Sequence, residues 1–357
     1  METMVLLDRK LIRLTEAMAL LKLSKSQTCR LLSRFRGQGA MAVRSAKRGL
    51  RNRASPLPCK NRVLDLITQQ YQDYGPTLLA EVLEENHSIR LSRETIRKWM
   101  ITGGIWTTSR AERKRLHQPR KRLNSYGALV QVDGSDHNWF EKRGPQCTLM
   151  VYIDDATGAL QELMFCERED AQAYAISTSR YLKTHGRPLR FQTDRHSSIY
   201  AGNSESTYSR ALRKLGIVHS IAYSPQSKGR VERANRTLQD RLTKALRRRC
   251  ISSIKDANAF LPIFIESFNR RFARRAAQAG DLHRRLAKRD DLDRLFAKTC
   301  NRRLSKQLTF SLHGIQYVVE PEQDIVGMAG NRIILEQRLN GEIVAYANDR
   351  RLNFTKA

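Results

Sequence analysis

The chain has 357 residues, with 65 Lys and Arg against 35 Asp and Glu, a formal charge of +30. An apolar content of 40% is enough for two or three cored domains. A charge this large excludes an ordinary neutral metabolic enzyme and points to a polyanionic partner, nucleic acid first. No run of apolar residues is long enough to span a membrane. The opening METMVLLDRKLIRL lacks the apolar core of a secretion leader. The six cysteines, Cys29, Cys59, Cys147, Cys166, Cys250 and Cys300, are scattered without a CxxC pair, which speaks against a disulfide framework or a structural zinc and suits a reducing compartment. A cytoplasmic, nucleoid-associated protein is expected.

The positive excess is front-loaded: residues 1–125 carry +16, residues 126–250 carry +7 and residues 251–357 carry +7. Residues 8–36 read as consecutive helices. Ala17, Leu20 and Leu21 form an apolar stripe, Lys22-Leu23-Ser24 a break, and Ser24 with Gln27 a capping box that starts a helix over 25–36. Leu31, Leu32 and Phe35 supply its core side, while Arg30 and Arg34 extend elsewhere. Helix, short turn and capped basic helix is the layout of a helix-turn-helix, although an amphipathic hairpin with a solvated basic face has the same spacing. The front-loaded charge favours DNA. The first such domain is placed at 1–50, followed by a basic Pro-containing linker at 51–62. A second helix-turn-helix domain follows at 63–106, where Ser92 caps a helix projecting Arg93, Arg97 and Lys98, and a second basic linker occupies 107–125.

After residue 126 the pattern changes. Short strands are expected at 129–133, 148–153 and 160–165, a helix at 171–184, a strand at 189–193, a helix at 206–215, a strand at 217–221 and a long helix at 228–246. That order is the order of a ribonuclease-H-like α/β domain, placed at 126–250. A helical extension is expected at 251–304, with helices at 254–271 and 283–297. A strand-rich segment at 305–357, with turns at Gly314, Gly330 and Asn340-Gly341, is expected to form a small β-barrel. The fold class is therefore multidomain: all-α helix-turn-helix units, an α/β core and a terminal barrel.

Asp133 and Asp194 each end a predicted strand, and those strands are neighbours in a ribonuclease-H-like sheet. Glu232 lies in the first turns of the long helix. One carboxylate at a strand end is more often a cap or turn residue, but three in this order can hold a pair of Mg²⁺ ions for phosphodiester displacement. Mn²⁺ accepts the same oxygen ligands. Asp136, Asp154 and Asp155 compete on that edge; the Asp154-Asp155 pair is read as shaping the turn to Gly158. The chain has no glycine-rich GKS or GKT loop, in agreement with chemistry that needs no nucleotide cofactor.

The runs VQVDGSDHNWFE (130–141), TLMVYIDDATGAL (148–160), QTDRHS (192–197) and SPQSKGRVERANRTLQDRL (224–242) closely resemble the retroviral-integrase-type catalytic core of bacterial insertion-sequence transposases, nearest to the ISNCY-type group. Residues 75–106 resemble that group's second helix-turn-helix, and residues 257–273 the segment after its core. The resemblance implies Asp133, Asp194 and Glu232 as the DDE metal ligands, with Lys228 and Arg230 approaching the DNA end. His137 and His196 stand beside the first two aspartates, where they contact phosphate or metal-bound water, or orient the loop by local hydrogen bonds. Asn235, one turn beyond Glu232, supports the site, and Trp139 and Phe140 pack as core. It also implies a transposase that binds the inverted repeats of its element, cuts a strand at each end and joins the ends to target DNA, working as a homo-oligomer of at least two subunits on double-stranded DNA. The chain departs from the group after Ala273, where RRAAQAGDLHRRL replaces a proline-containing stretch. The rival readings are a catalytically silent DNA-binding repressor derived from a transposase and a plain nuclease acting on RNA–DNA hybrids.

Overall fold

Where the sequence places Ser24 before Gln27, the chain closes the expected capping box: Gln27 N–H donates to Ser24 Oγ at 3.3 Å and Ser24 N–H to Gln27 Oε1 at 3.0 Å. The computed structural model describes residues 1–43, 57–107, 120–195, 199, 205–222, 225–320, 328–348 and 350–357, in two units, residues 1–112 and 113–357. The first unit holds two helical triplets. Helices α1 (Glu2–Asp8), α2 (Leu14–Leu21) and α3 (Lys25–Gln38) enclose Met4, Leu7 and Ala17, with Leu31, Leu32 and Phe35 packed against them. Lys22 makes the turn between α2 and α3 in the left-handed region, φ 51°. Leu20, expected on the apolar stripe, points to solvent. Helices α4 (Leu57–Gln70), α5 (Pro76–His87) and α6 (Arg93–Thr102) share a second core of Val63, Ile67, Tyr74, Leu79, Leu83 and Ile96. Ser92 caps α6 by accepting from Thr95 N–H at 3.1 Å.

Helix α4 overruns the expected linker at 51–62, because a proline in a first helical turn lacks an N–H that has no partner there anyway. The rest of that linker lies outside the described residues, as does 108–119 of the second. Residues 120–125 are not linker: Leu123 N–H donates to Asp155 Oδ2 at 2.8 Å and Arg122 Nη1 to the Ala156 carbonyl at 3.2 Å.

The second unit is built on five strands: β1 (Val130–His137), β2 (Cys147–Asp154), β3 (Leu160–Cys166), β4 (Arg190–Thr193) and β5 (Val218–Ile221). Their order is β3-β2-β1-β4-β5, antiparallel across β1, β2 and β3 and parallel from β1 through β4 to β5. That is the ribonuclease-H-like topology expected. Helices α7 (Ala171–His185) and α8 (Thr207–Lys214) cover one face through Tyr174, Tyr181, Tyr208 and Leu212 on Val130, Val132, Met150 and Tyr152. Helices α9 (Gly229–Arg248) and α10 (Ile254–Phe272) cover the other, with Val231, Leu238, Leu242 and Leu261 on Leu149, Val151, Ile153 and Phe165. Trp139 and Phe140 are fully buried there, as core residues. The outer strand β3 would present an unpaired edge, a liability for aggregation. Two asparagines of α10 occupy it: Asn258 exchanges hydrogen bonds with the Phe165 backbone at 2.8 and 3.0 Å, and Asn269 with that of Leu160 at 2.8 and 2.7 Å. The Asp154 carboxylate accepts from Thr157 N–H and Oγ1 at 2.7 and 2.6 Å, shaping the turn as expected.

The C-terminal part differs from expectation in three ways. A helix over 283–297 shrinks to the single turn α11 (Leu292–Leu295). Gly280 at φ 112° starts an extended path instead, bridged backbone to backbone from Tyr126 to Asp281 and from Arg187 to Arg284. Its anchor is His283, whose Nε2 meets the Tyr181 hydroxyl at 2.7 Å, and a helix would forfeit those pairings. Residues 298–303, placed in the helical extension, form strand β6 (Lys298–Arg303). The remaining strands are β7 (Thr309–Leu312), β8 (Ile315–Val319), β9 (Arg332–Gln337), β10 (Ile343–Ala347), β11 (Arg350–Leu352) and β12 (Phe354–Lys356). They do not close a barrel. Among the described residues they form two sheets, β11-β10-β9-β6 and β12-β8-β7, facing one core of Leu304, Phe310, Ile333, Leu335 and Ala345. The chain passes from one sheet to the other at Asn353, and each sheet keeps its own edges.

Candidate active site

Parallel pairing of β1 with β4 covers only Val130–Phe191 and Gln131–Gln192, so the two strands separate just before Asp133. Strand β4 ends at Thr193 and Asp194 follows at once. The separation opens a cleft with one carboxylate on each lip. Strand β1, however, continues to His137 beside β2 alone, so Asp133 is a mid-strand residue and not the strand end expected.

Helix α9 crosses this cleft along β1. Residues 131, 133 and 135 of the strand face residues 231, 235 and 239 of the helix. Gln131 Oε1 accepts from Val231 N–H at 3.0 Å, Asn235 Nδ2 donates to Asp133 Oδ2 at 2.9 Å, and Gln239 Nε2 donates to Ser135 Oγ at 3.2 Å. Two strand residues rise about 6.6 Å and four helical residues about 6 Å, so the polar seam stays in register along its length. Gln131 does more than pair with α9: Nε2 also donates to the Ser227 carbonyl at 2.7 Å and to Gln192 Oε1 at 3.1 Å. One buried amide thereby ties β1, β4, the short turn Pro225–Lys228 and the start of α9.

That turn delivers Lys228. Its Nζ lies 2.5 Å from Asp133 Oδ1 and 3.3 Å from Asp194 Oδ2, with the lysine side chain 14% exposed. Burial pushes the Asp133 carboxyl up to about 6, with Asp194 and Glu169 adding to the rise and Lys228 opposing it. Burial works against the Lys228 ammonium, but the two aspartates outweigh it and raise its affinity for a proton.

Of the expected ligands, the structure brings Asp133 and Asp194 together and leaves Glu232 exposed, one residue off the seam on α9. Among the described residues no three His, Cys, Asp or Glu side chains are grouped closely enough to hold a metal. The donors present nevertheless suit a hard cation: Asn235 Oδ1 is buried beside Asp133 with no hydrogen-bond partner, and an orphaned amide oxygen next to a carboxylate is what such an ion binds.

Other expected residues fall elsewhere. His137 lies four residues along β1 from Asp133, about 13 Å by strand rise, edge-on to Trp139 at 5.2 Å between ring centres. His196 lies outside the described residues. Arg230 turns inward, its Nη2 donating to the Arg120 carbonyl at 3.0 Å and its Nε 3.6 Å from Asp155 Oδ1. That guanidinium holds the chain entering the core and is not presented to solvent. Arg30, Arg34 and Arg93 are exposed, whereas Arg97 is held by Glu94 through two hydrogen bonds of 2.9 Å. Sequence reading missed Gln131 and Glu169. The latter accepts from the Tyr174 hydroxyl at 2.5 Å and packs on Gly134, where an added methyl would run into its carboxylate. A glycine following Asp133 was the one available sign of that close approach.

No family model matches the chain. It is 41% identical to a putative transposase, y4bF, of Sinorhizobium fredii, over 94% of this chain and 74% of that protein. It is 32% identical to the transposase for insertion sequence IS1202 of Streptococcus pneumoniae, over 71% of this chain and 63% of that one. Among solved structures, the HTLV-2 integrase catalytic core domain in complex with magnesium matches at TM-score 0.31 and 19% identity, over 38% of this chain and 82% of that one. The simian T-cell lymphotropic virus intasome matches at TM-score 0.37 and 15% identity, over 82% of this chain and 96% of that one.

Proposed function

The chain belongs to the transposase family of these relatives, and from that premise we propose that it binds the terminal inverted repeats of its own mobile element, cleaves a DNA strand at each end and transfers the freed ends to target DNA. The observation that carries this reading is the pairing of Asp133 with Asp194 across the mouth of the β1–β4 cleft, with Lys228 of the preceding turn bound to both and Asn235 of α9 bound to Asp133. Asp133, Asp194 and Glu232 are the proposed holders of two Mg²⁺ ions, with Mn²⁺ able to substitute. Bound there, divalent cations supply the Lewis acid that activates the attacking oxygen and stabilises the leaving one. Asn235 keeps the Asp133 carboxylate turned into the cleft, and Gln131 holds the start of α9, the helix that carries Glu232, against β1.

The helical unit at 1–112 is proposed to grip the element ends, with Arg30, Arg34 and Arg93 placed to reach DNA. Two ends joined in concert require at least two catalytic subunits, so a homo-oligomer assembled on DNA follows from the reading. Assignment to the ISNCY-type group rests on the motif resemblance alone.

One observation favours the rival reading of a silent DNA-binding repressor: Glu232 stands exposed and apart from the aspartate pair. The same experiment separates the two. Labelled duplexes carrying the element's own ends are incubated with Mg²⁺ and either the wild-type chain or Asp194→Asn. Nicking at the repeat boundary and joined products are expected from the wild type and from none of the variant reactions. Tight end-specific binding with no cleavage by either protein would overturn the transposase activity in favour of the repressor.

A further inference from the structure

Lys228 is bound to both cleft aspartates at once, and its position is built, not incidental. The residue before it is anchored by the Gln131 amide at 2.7 Å, and the residues after it begin α9. The lysine stem is sealed in, with its side chain only 14% exposed, and its ammonium closes on an Asp133 side chain that is 13% exposed. Asp133 Oδ1 and Asp194 Oδ2 both reach one nitrogen, so they stand no more than about 6 Å apart. Two bare carboxylates at that range would repel by about 3 kcal/mol at the effective dielectric of a protein site. The ammonium removes that repulsion and uses inward-facing oxygens that a hard cation would also need.

We propose that Lys228 is an internal counter-ion that competes with divalent cations for Asp133 and Asp194, so that the DNA-free chain holds metal weakly and DNA promotes metal loading by offering the ammonium a phosphate instead. This rests on the reading of Asp133 and Asp194 as metal holders. An ammonium and a divalent ion cannot share the same oxygens, because each would lie within a few ångströms of the other's charge. Lysine is suited to the exchange: its flexible stem carries a compact charge with three donors, and phosphate oxygens are acceptors for it. By linkage, whatever DNA does for metal affinity, metal does equally for DNA affinity. The device would keep the cleft inert toward metal-dependent hydrolysis until a phosphodiester is present.

The test is Mn²⁺ alone titrated into the full chain, with free Mn²⁺ followed by electron paramagnetic resonance, without DNA and then with a duplex of random sequence. Lys228→Met keeps the stem and removes the charge; Lys228→Gln serves if the methionine variant does not fold. The lysine-free variant is expected to bind Mn²⁺ at least about fivefold more tightly than wild type without DNA, within the usual span of coupling between sites. DNA should tighten Mn²⁺ binding in the wild type and leave the variant unchanged. If the folded variant binds Mn²⁺ no more tightly than wild type, while Asp133→Asn abolishes binding, the competition is overturned and the metal reading stands. If Asp133→Asn and Asp194→Asn bind Mn²⁺ as the wild type does, the metal reading itself fails, and the competition with it.

Discussion

Changing Gln131 to glutamate alters almost nothing in size, yet it removes both donors of the amide that joins four elements. Wild-type Gln131 accepts from Val231 N–H at 3.0 Å and donates to the Ser227 carbonyl at 2.7 Å and to Gln192 Oε1 at 3.1 Å, in a side chain that leaves the residue 1% exposed. A carboxylate keeps the first bond and faces two acceptors without a proton. Gln192 can turn its own amide to donate, but the Ser227 carbonyl has no such recourse. A buried polar group left unpaired costs about 1–3 kcal/mol, and a buried charge adds to that, so a loss of about 2–4 kcal/mol is expected at pH 8. Protonation repairs the defect, because a neutral carboxyl can donate to Ser227 while still accepting from Val231. The folded state therefore raises the glutamate's proton affinity. The deficit is small below the unfolded carboxylate range and grows as pH rises toward the raised folded value. Urea midpoints for wild type and variant at pH 5 and pH 8 check this. Gln131→Met, which has neither donor nor charge, should lose stability by the same amount at both. A Gln131→Glu loss under about 1 kcal/mol at pH 8, or an equal loss at both pH values, would refute the role assigned to this amide.

Three further outcomes are expected. Burial lowers His219 to about 4, where its ring bridges Thr193 Oγ1 and Ser209 Oγ at 2.9 Å each. Folding therefore favours the neutral ring: its contribution is whole above about pH 6.5, declines as pH falls toward 4, and amounts to about 2 kcal/mol between pH 7 and pH 5. Replacing His219 by glutamine should flatten that part of the stability profile, and an unchanged profile would contradict it. On DNA carrying the element ends, Arg93→Ala should weaken binding by about 1–3 kcal/mol if the arginine reads bases. Arg97→Ala should cost less, since Glu94 already holds that guanidinium. Equal losses on random duplex would make Arg93 a phosphate contact.

The strand order and the meeting of Asp133 with Asp194 were legible because buried strands announce themselves as short apolar runs, and each run stopped at its aspartate. Ser24 and Ser92 were legible as caps because capping depends on local spacing alone. The continuation of β1 through Gly134–His137 was hidden: β4 has already ended, that stretch needs no apolar face, and its polar residues read as a loop. Gln131 lies in the run 130–141 but carries no chemistry of its own that marks it; its importance arises from the acceptors and donors brought to it by distant parts of the chain. The 283–297 segment misled for the opposite reason. Leu292 and Leu295 have helical spacing and do form the single turn α11, but Leu286 packs beside the sheet from the extended path held by His283. Strand β6, read as KTCNRR, is mostly exposed, so no alternation marked it.

The two asparagines on the outer strand also measure length. Asn258 and Asn269 are separated along α10 by about 16 Å of helical rise, and their targets Phe165 and Leu160 by about 16 Å of extended strand. Helix and strand are thus cut to a common length, one against the other. Adding or removing a single residue between the asparagines would swing one of them about 100° around the helix and off the strand. This stretch of α10 can accept substitutions between the asparagines but not insertions. The same fit closes that side of the sheet to a strand from any other chain. The sheet's other edge is β5.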